Sequence, residues 1–367
     1  MGVKPVLFVT GHAPAYRVGA FACLHEHEGI EVALFGGRVK HGGGAFEGEL
    51  PFPHRHLRQR ELAGLVASGR YRAVVCPTGG RVAPGAVWIG ARRAGVPLIL
   101  WASLWAHPRS VVHAFSYLPL RRLYRSADAV VTYGPHVSAY VQARGARNVH
   151  IAPQSVDNDF WSAPATAPSE RSWPAQAQTR FLYVGRPARE KGLEVLARAW
   201  RESALRTPAA ALVLAGVGSG FRLPGREASG QESRGVVSLD PVAPVELRNL
   251  YGASEALVLP SIPTAAFREP WGLVVNEAMN QGLPVIATDA VGAAAGGLVR
   301  EGRNGLVVPA GDSAALAGAL RRLADDAGLR ASLGGAGAED VRAFTHEAWA
   351  RGFSEALATV GLSRGRW

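Results

Sequence analysis

Cysteine is scarce in this sequence, since a chain of 367 residues contains only two. Cys23 lies in an apparent helix, and Cys76 stands at the end of the apolar run AVVCP. This placement suits buried thiols better than a disulfide framework or a metal site. We expect both side chains to be buried in the core, where cysteine is among the most frequent residue types.

Long hydrophobic runs are also missing. A membrane-spanning helix needs about 18 or more consecutive apolar residues, and the longest candidate, VPLILWASLWA at 96–106, is shorter. The first residues reach His12 before the apolar part of a signal peptide could form. The sequence therefore predicts a cytoplasmic protein without a signal peptide.

What remains is the composition of a packed globular protein, with 48% hydrophobic and 19% charged residues. A chain of this length is expected to form two domains. The net charge of +11 is unevenly distributed: residues 1–156 contain 18 Lys and Arg against 7 Asp and Glu, whereas residues 157–367 contain 22 of each. An excess of positive charge in one half favours an anionic partner there, either an acceptor molecule, a membrane surface or a nucleic acid.

Both halves alternate short apolar runs with helix-like stretches. The opening PVLFVTGHAPAYRVGAFACLHEHEGIEVALFGG has the pattern of a strand, a helix and a second strand. A second series of such runs starts at RFLYVG, after a segment at 155–179 that is rich in Ala, Pro and Ser. We predict an α/β protein of two Rossmann-like domains, 1–156 and 157–345, which face each other across a cleft.

The segment EPWGLVVNEAM places two glutamates eight positions apart, Glu269 before a predicted helix and Glu277 within it. We expect this helix to start near Pro270, with Glu277 about two turns further on. The unpaired N–H groups at a helix start favour an anion such as phosphate. A ligand with a diphosphate at this point could offer hydroxyl groups to one carboxylate on each side, as a nucleotide sugar does.

Cations for such a diphosphate are provided by the segment GRPAREKG, which follows the strand RFLYVG. It contains Gly185, Arg186 and Lys191, and Lys191 is one of only three lysines in the chain. A chain that uses arginine so consistently is expected to keep a lysine where a compact ammonium is needed.

These motifs, together with GLPVIATD and NGLVVPAGD, resemble glycosyltransferase family 4, a group of retaining enzymes with the GT-B fold. The resemblance implies that Arg186 and Lys191 bind the donor diphosphate beside Gly185, that Glu269 binds a hexose hydroxyl, and that Glu277 binds the ribose. It also assigns contacts with the donor to the backbone of Pro270, Trp271, Gly272 and Leu273. Catalysis is thereby attributed to Glu269, Arg186 and Lys191, without a metal or another cofactor, and an α-linked product is expected.

The resemblance of the first half is limited to its outline. In the family's pattern the last helix, here 346–367, packs back onto the first domain, which binds the acceptor. Candidate residues on the acceptor side are His12, Tyr16 and Arg17 after the first strand, and Trp105 and His107 after WASL. The histidine that the family usually carries has no counterpart, because Ser103 occupies the best-matching position. No catalytic base is assigned.

Several alternatives stay open at this point. The stretch SVVHAFSYLPLRRLYR at 110–125 mixes aromatic residues with arginines, and both packing within the first domain and contact with the inner face of the membrane fit it. A sugar-nucleotide epimerase or a phosphorylase would use related domains for another reaction. A nucleic-acid binder is a remote alternative, since no RNA or DNA motif accompanies the charge.

Overall fold

The structure is a computed structural model that describes residues 3–36, 48–109, 111–169, 173–223 and 235–362. It divides into two compact units. Unit 1 combines Met1–Asp157 with Phe344–Trp367, and unit 2 is Asn158–Ala343. Each unit is built around one parallel β-sheet.

Unit 1 contains a seven-stranded sheet in the order β3-β2-β1-β4-β5-β6-β7. Its strands are β1 (Val6–Thr10), β2 (Ile30–Leu34), β3 (His54–His56), β4 (Ala73–Pro77), β5 (Leu98–Ala102), β6 (Ala129–Thr132) and β7 (Val149–Ile151). The connecting helices are α1 (Ala15–Glu28), α2 (Leu62–Ala67), α3 (Ala83–Ala94), α4 (Val111–Ser126) and α5 (Pro135–Gln142). The apolar runs become central strands because helices cover both faces of a parallel sheet, and all five residues of β1 are buried.

Unit 2 contains a six-stranded parallel sheet in the order β10-β9-β8-β11-β12-β13. Its strands are β8 (Thr179–Val184), β9 (Ala210–Ala215), β10 (Val236–Leu239), β11 (Ala256–Leu259), β12 (Val285–Thr288) and β13 (Gly305–Val308). Its helices are α6 (Asn158–Ser162), α7 (Leu193–Ser203), α8 (Pro244–Gly252), α9 (Val274–Asn280), α10 (Gly292–Ala295), α11 (Ser313–Asp325) and α12 (Ala327–Asp340). The amphipathic sequence of α7 buries its apolar face against this sheet.

The last helix, α13 (His346–Thr359), belongs to unit 1. It begins where the Thr345 side chain accepts a hydrogen bond from the Ala348 N–H. Trp349 and Phe353 are fully buried, and the Phe353 ring centroid lies 5.3 Å from that of Phe8 on β1. Residues 363–367, which are also predicted to belong to this helix, lie outside the described residues.

Two sequence expectations about local structure have different outcomes. Cys23 and Cys76 are buried and unpaired, as expected. The helix around Glu277, however, starts at Val274 and not near Pro270. Residues 270–273 instead form a loop in which Gly272 takes a φ of +95°, and Glu277 therefore lies in the first turn of α9 and not two turns along.

No helix within the described ranges combines the length and the apolar character required to cross a lipid bilayer.

Candidate active site

The sheet of unit 2 has a topological switch point between β8 and β11. From β8 the chain first moves outward through β9 and β10, and then returns to place β11 on the other side of β8. The connections that follow these two strands therefore lead in opposite directions across the sheet, from β8 to β9 and from β11 to β12. In open α/β sheets, ligands bind in the crevice at this point.

The two loops touch each other at Gly192, which ends the loop after β8. A Cβ atom on Gly192 would lie 1.9 Å from the carbonyl oxygen of Pro260, the first residue after β11. The N–H of Ile262 also donates to the carbonyl oxygen of Glu190 over 2.9 Å. Only a residue without a side chain allows this approach, and it brings the GRPAREKG segment against the segment that leads to Glu269.

Lys191 and Glu269 form an ion pair across these two loops. The Lys191 Nζ lies 2.5 Å from Glu269 Oε2, and the side chains are only 17% and 9% exposed. The hydroxyl of Ser261, which is fully buried, donates to the same carboxylate oxygen over 3.4 Å. The lysine predicted to bind a diphosphate and the glutamate predicted to bind a sugar are therefore in direct contact.

The backbone around Glu269 is held by the loop that leads from β12 into α10. The N–H of Gly292 donates to the Glu269 carbonyl oxygen over 3.1 Å, and the N–H of Ala293 donates to that of Trp271 over 2.8 Å. Gly292 is tightly packed, since a Cβ atom there would lie 1.9 Å from the Pro270 carbonyl oxygen. The position of the carboxylate is therefore determined by three loops from the same edge of the sheet.

The side chain of Trp271 is buried and hydrogen-bonded to α9. It is 3% exposed, and its Nε1–H donates to Asn276 Oδ1 over 2.8 Å, at the start of α9. A Cβ atom on the neighbouring Gly272 would lie 2.8 Å from Leu259 Cδ2. Leu273 is the residue that precedes α9. The Trp271 side chain is thus enclosed within unit 2, and contact between the donor and the backbone of 270–273 stays a prediction.

Glu277 is hydrogen-bonded within unit 2. The hydroxyl of Tyr251, on α8, donates to Glu277 Oε2 over 2.8 Å. Burial raises the pKa of Glu277 to about 7, although the hydrogen bond from Tyr251 acts in the opposite direction. Sequence reasoning does not identify Tyr251, because 26 residues separate it from Glu277 and no local motif connects them.

Gly185 and Arg186 lie directly after β8. The Gly185 N–H donates to the carbonyl oxygen of Ala215 over 3.0 Å, and a Cβ atom on Gly185 would lie 2.9 Å from the Tyr183 hydroxyl. The Arg186 side chain is 49% exposed and lies 3.5 Å from Glu190 Oε1. Unlike Lys191, this cation is about half exposed to solvent.

The sequence of this unit matches a known family. The family model described as glycosyl transferases group 1 matches residues 178–326. The D-inositol 3-phosphate glycosyltransferase of Actinosynnema mirum is 30% identical over 302 residues, which are 76% of this chain and 69% of the relative. The chain belongs to the group 1 glycosyltransferases.

A second relative of this glycosyltransferase aligns over a shorter stretch. The D-inositol 3-phosphate glycosyltransferase of Pseudarthrobacter chlorophenolicus is 34% identical over 212 residues, or 55% of this chain. That alignment covers 47% of the relative's own length. The prediction that the chain is a glycosyltransferase is confirmed.

Solved structures share the fold of this glycosyltransferase. Anabaena HepE in complex with UDP has a TM-score of 0.74 at 20% identity and covers 97% of this chain and 100% of its own. The sucrose-phosphate synthase of Thermosynechococcus elongatus has a TM-score of 0.68 at 21% identity, with 98% and 99% covered. The predicted fold class, two parallel-sheet α/β domains of the GT-B type, is confirmed.

In unit 1 of the glycosyltransferase, the acceptor-side candidates after β1 differ in how deeply they are buried. His12 is half-buried beside the switch point between β1 and β4, and the Tyr16 side chain is 37% exposed. Arg17 is 3% exposed, its Nη2 donates to Gln154 Oε1, and its Cζ lies 5.3 Å from the ring centroids of both Tyr16 and Trp349. These contacts connect α1 to α13, and an acceptor role for Arg17 stays a prediction.

The candidates after β5 pack beside α4 and α5. The Trp105 ring lies edge-on to His136, with the centroids 5.1 Å apart. His107 Nδ1 lies 3.4 Å from the Tyr140 hydroxyl, and its ring centroid is 5.3 Å from that of Tyr117. Both residues are half-buried. Both contact residues of α5, His136 and Tyr140. The Arg17 guanidinium carbon lies 5.6 Å from the ring centroid of Trp101 on β5, and a shared acceptor site for the five candidates stays a prediction.

Within the ranges that the structure describes, no group of three or more His, Cys, Asp or Glu side chains is arranged to hold a metal ion.

Proposed function

We propose that this enzyme is a retaining member of glycosyltransferase family 4 that takes a sugar from a nucleotide-diphosphate donor held by unit 2. The observation that carries the proposal is the pairing of Lys191 with Glu269 at 2.5 Å over the switch point. It places a cation and a carboxylate together in the crevice where ligands of such sheets bind. A nucleotide sugar needs both kinds of group, a cation for its diphosphate and a carboxylate for a sugar hydroxyl.

The proposed chemistry follows the charge that develops on the leaving group. As the glycosidic bond breaks, the nucleoside diphosphate gains negative charge, and nearby cations stabilise that charge. Lys191 is fixed by Glu269 before the donor arrives, and Arg186 is free to reorient toward the phosphates. Glu269 accepts a hydrogen bond from a sugar hydroxyl and at the same time keeps Lys191 in place. Stabilisation by such preorganised charges is usually the largest single contribution to catalysis.

Glu277 is proposed to bind the ribose hydroxyls of the donor. Its carboxylate is oriented by the hydrogen bond from the Tyr251 hydroxyl, which lies 2.8 Å from Oε2. A carboxylate accepts two vicinal hydroxyl groups only in its ionised form. With a pKa of about 7, Glu277 changes its charge within the physiological range, so that donor affinity becomes sensitive to pH.

The acceptor is proposed to bind to unit 1 and to be anionic, either as a small molecule or as a membrane-borne one. Two observations support this proposal: the excess of positive charge lies in residues 1–156, and the relatives are D-inositol 3-phosphate glycosyltransferases by name, an activity whose named substrate carries a phosphate group. His12, Tyr16, Trp105 and His107 are the residues to test. A metal-independent transfer with formation of an α-linkage is part of the same proposal.

The first test is thermal stabilisation by UDP, GDP, ADP and dTDP, each with and without magnesium. UDP is the reference, because solved structures of similar fold contain it. We expect one diphosphate to raise the melting temperature, with no requirement for magnesium, and Lys191→Ala to abolish the shift. The absence of any shift, together with no hydrolysis of any nucleotide sugar, would overturn the proposal.

Two other outcomes of the donor assays would indicate a different reaction. A donor that is isomerised without an acceptor would indicate an epimerase, and a requirement for inorganic phosphate would indicate a phosphorylase.

A further inference from the structure

The positive charge of unit 1 is concentrated in one continuous part of the sequence. Between residues 62 and 156 the chain contains eleven arginines and a single acidic residue, Asp128. The Asp128 carboxylate accepts a hydrogen bond from the N–H of Leu98 over 2.8 Å, at the start of β5. This part of the chain includes α3, α4 and α5 and their surface arginines. The three helices pack into one apolar cluster through Ala86, Tyr124 and Val137, so their surface arginines lie on the same side of the sheet.

Helix α4 carries two large apolar side chains that are not packed. Phe115 is 79% exposed and Leu118 is 69% exposed, the two highest values among the exposed large apolar residues of the described ranges. Arg122 and Arg125, further along the helix, are also exposed. These four residues follow each other at spacings of three, four and three, so they lie along one face of the helix. The opposite face is anchored by Tyr124, which is 1% exposed.

Helix α3 extends this face. The Trp88 Nε1–H donates to the Ser126 hydroxyl of α4 over 2.9 Å, which joins the two helices. The guanidinium carbons of Arg92, on α3, and Arg122 each lie 5.7 Å from the Trp88 ring centroid. None of the ion pairs within the described part of the chain includes Arg92, Arg122 or Arg125. We call Phe115, Leu118, Arg122, Arg125 and Arg92 the α3–α4 surface.

We propose that the α3–α4 surface binds the protein to an anionic lipid membrane. Phe115 and Leu118 provide apolar side chains for the boundary between headgroups and acyl chains, and the arginines provide charges for anionic headgroups. From Phe115 to Arg125 the helix is about 15 Å long, and the contacting residues occupy its whole length. The helix therefore lies parallel to the membrane plane and does not cross it.

A lipid surface explains the combination better than a nucleic acid does. Unpaired arginines would suit the phosphates of either partner, because both carry a high density of negative charge. Two exposed apolar side chains on one helix face suit a partner with an apolar layer, and Leu118 has no ring on which a base could stack. The α3–α4 surface does not depend on the identity of the donor or acceptor, and its test requires no transfer activity.

The test is sedimentation of the full chain with vesicles of phosphatidylglycerol and phosphatidylcholine, compared with vesicles of phosphatidylcholine alone. We expect binding only to the anionic vesicles, and a decrease in binding as salt is added. Since each basic residue near an anionic surface contributes about 1 kcal/mol, Arg122→Gln with Arg125→Gln should lower the affinity roughly 30-fold. Phe115→Ser with Leu118→Ser should lower it as well, without a change in net charge.

Two control variants make the result specific. Arg322→Gln with Arg342→Gln removes the same charge from exposed positions of unit 2 and should leave vesicle binding unchanged. Val245→Ser removes an exposed apolar side chain, 53% accessible, from α8 and should also have no effect. Circular dichroism checks that all variants are folded.

Three outcomes would overturn the proposal. They are no binding to anionic vesicles, an equal loss of binding in the unit 2 controls, and unchanged vesicle binding in the variant with Phe115→Ser and Leu118→Ser. Single-stranded RNA is added as a competitor in the same assay. If RNA binds more tightly than the vesicles, and if only the arginine variant weakens that binding, the α3–α4 surface is a nucleic-acid site and the membrane assignment is wrong.

Discussion

The ammonium group of Lys191 lies 2.5 Å from the carboxylate of Glu269, although 78 residues separate them in the chain. One residue follows β8 and the other follows β11, and these strands are neighbours in the sheet of unit 2. Parallel neighbours end at the same edge, so their loops meet there. The ion pair is therefore a direct consequence of the strand order, and it connects a residue expected to bind phosphate with one expected to bind sugar.

Lys191→Met should affect activity and stability together. Loss of one electrostatic donor to a developing anion costs roughly 10² to 10³ in rate, and the largely buried Glu269 loses its partner at the same time, which lowers the free energy of unfolding. The double variant with Glu269→Gln removes both charges and should regain most of the stability but none of the activity. Melting temperature and kcat are measured for both single variants and the double variant. A double variant less stable than Lys191→Met would show that the unpaired charge of Glu269 is not what destabilises the single variant.

Tyr251→Phe should weaken donor binding while the fold is kept. The substitution retains the ring, which packs edge-on to Trp161 with the centroids 5.8 Å apart, and removes only the hydroxyl that orients Glu277. We expect a several-fold higher KM for the donor and a nearly unchanged kcat, because the residue acts through Glu277 and not on the reacting atoms. Steady-state kinetics at several donor concentrations separates the two effects. An unchanged KM would exclude a positioning role for Tyr251.

The pH dependence of stability should reflect Glu277. Its pKa in the folded protein is raised from 4.5 to about 7 by burial, so the protonated form is favoured by folding. The resulting stability is fully present below a pH of about 4.5 and is lost as the pH rises through about 7. Glu277→Gln should abolish this loss, as measured by chemical unfolding across the range.

Donor affinity should have the opposite pH dependence, since the ionised form of Glu277 is the one proposed to accept the ribose hydroxyls. The affinity of the donor should increase as the pH rises through about 7, and this increase should disappear in Glu277→Gln. Titration of the intact protein with the diphosphate identified by thermal shift measures it. A pH-independent affinity in the parent protein would contradict the proposed role.

Gly192→Ala should disrupt the contact between the loops after β8 and β11. Gly192 has a φ of +70°, and a Cβ atom there would lie 1.9 Å from the Pro260 carbonyl oxygen. Gly302 is a matched control, because its φ is +69° and a Cβ atom there would meet nothing within 4 Å. Gly302→Ala should lower the free energy of unfolding by about 1 to 2 kcal/mol, because alanine is strained in the left-handed backbone conformation. Gly192→Ala should lower the free energy of unfolding by clearly more, and it should also lower activity. Equal losses in chemical unfolding would show that the loops do not need the close approach.

Much of this architecture could be inferred from the order of residues alone. Apolar runs such as AVVCP and RFLYVG are recognisable as buried parallel strands because both of their faces are covered by helices. GRPAREKG and the two glutamates of EPWGLVVNEAM were recognisable because each chemical group has a local signature of type and spacing. The group 1 match over residues 178–326 covers both of these motifs.

Other features depended on contacts between distant segments. The early start expected for α9 was wrong because Pro270 suits a helix start in isolation, whereas the hydrogen bonds from Gly292 and Ala293 hold the residues around it as a loop. Tyr251 became a partner of Glu277, and Lys191 a partner of Glu269, through strand and helix packing that no spacing reveals. Sequence alone thus determined which chemical groups this glycosyltransferase carries and which elements hold them. Only the tertiary structure decided which groups touch, because contact and burial arise from the order of strands in the sheet and not from their order in the chain.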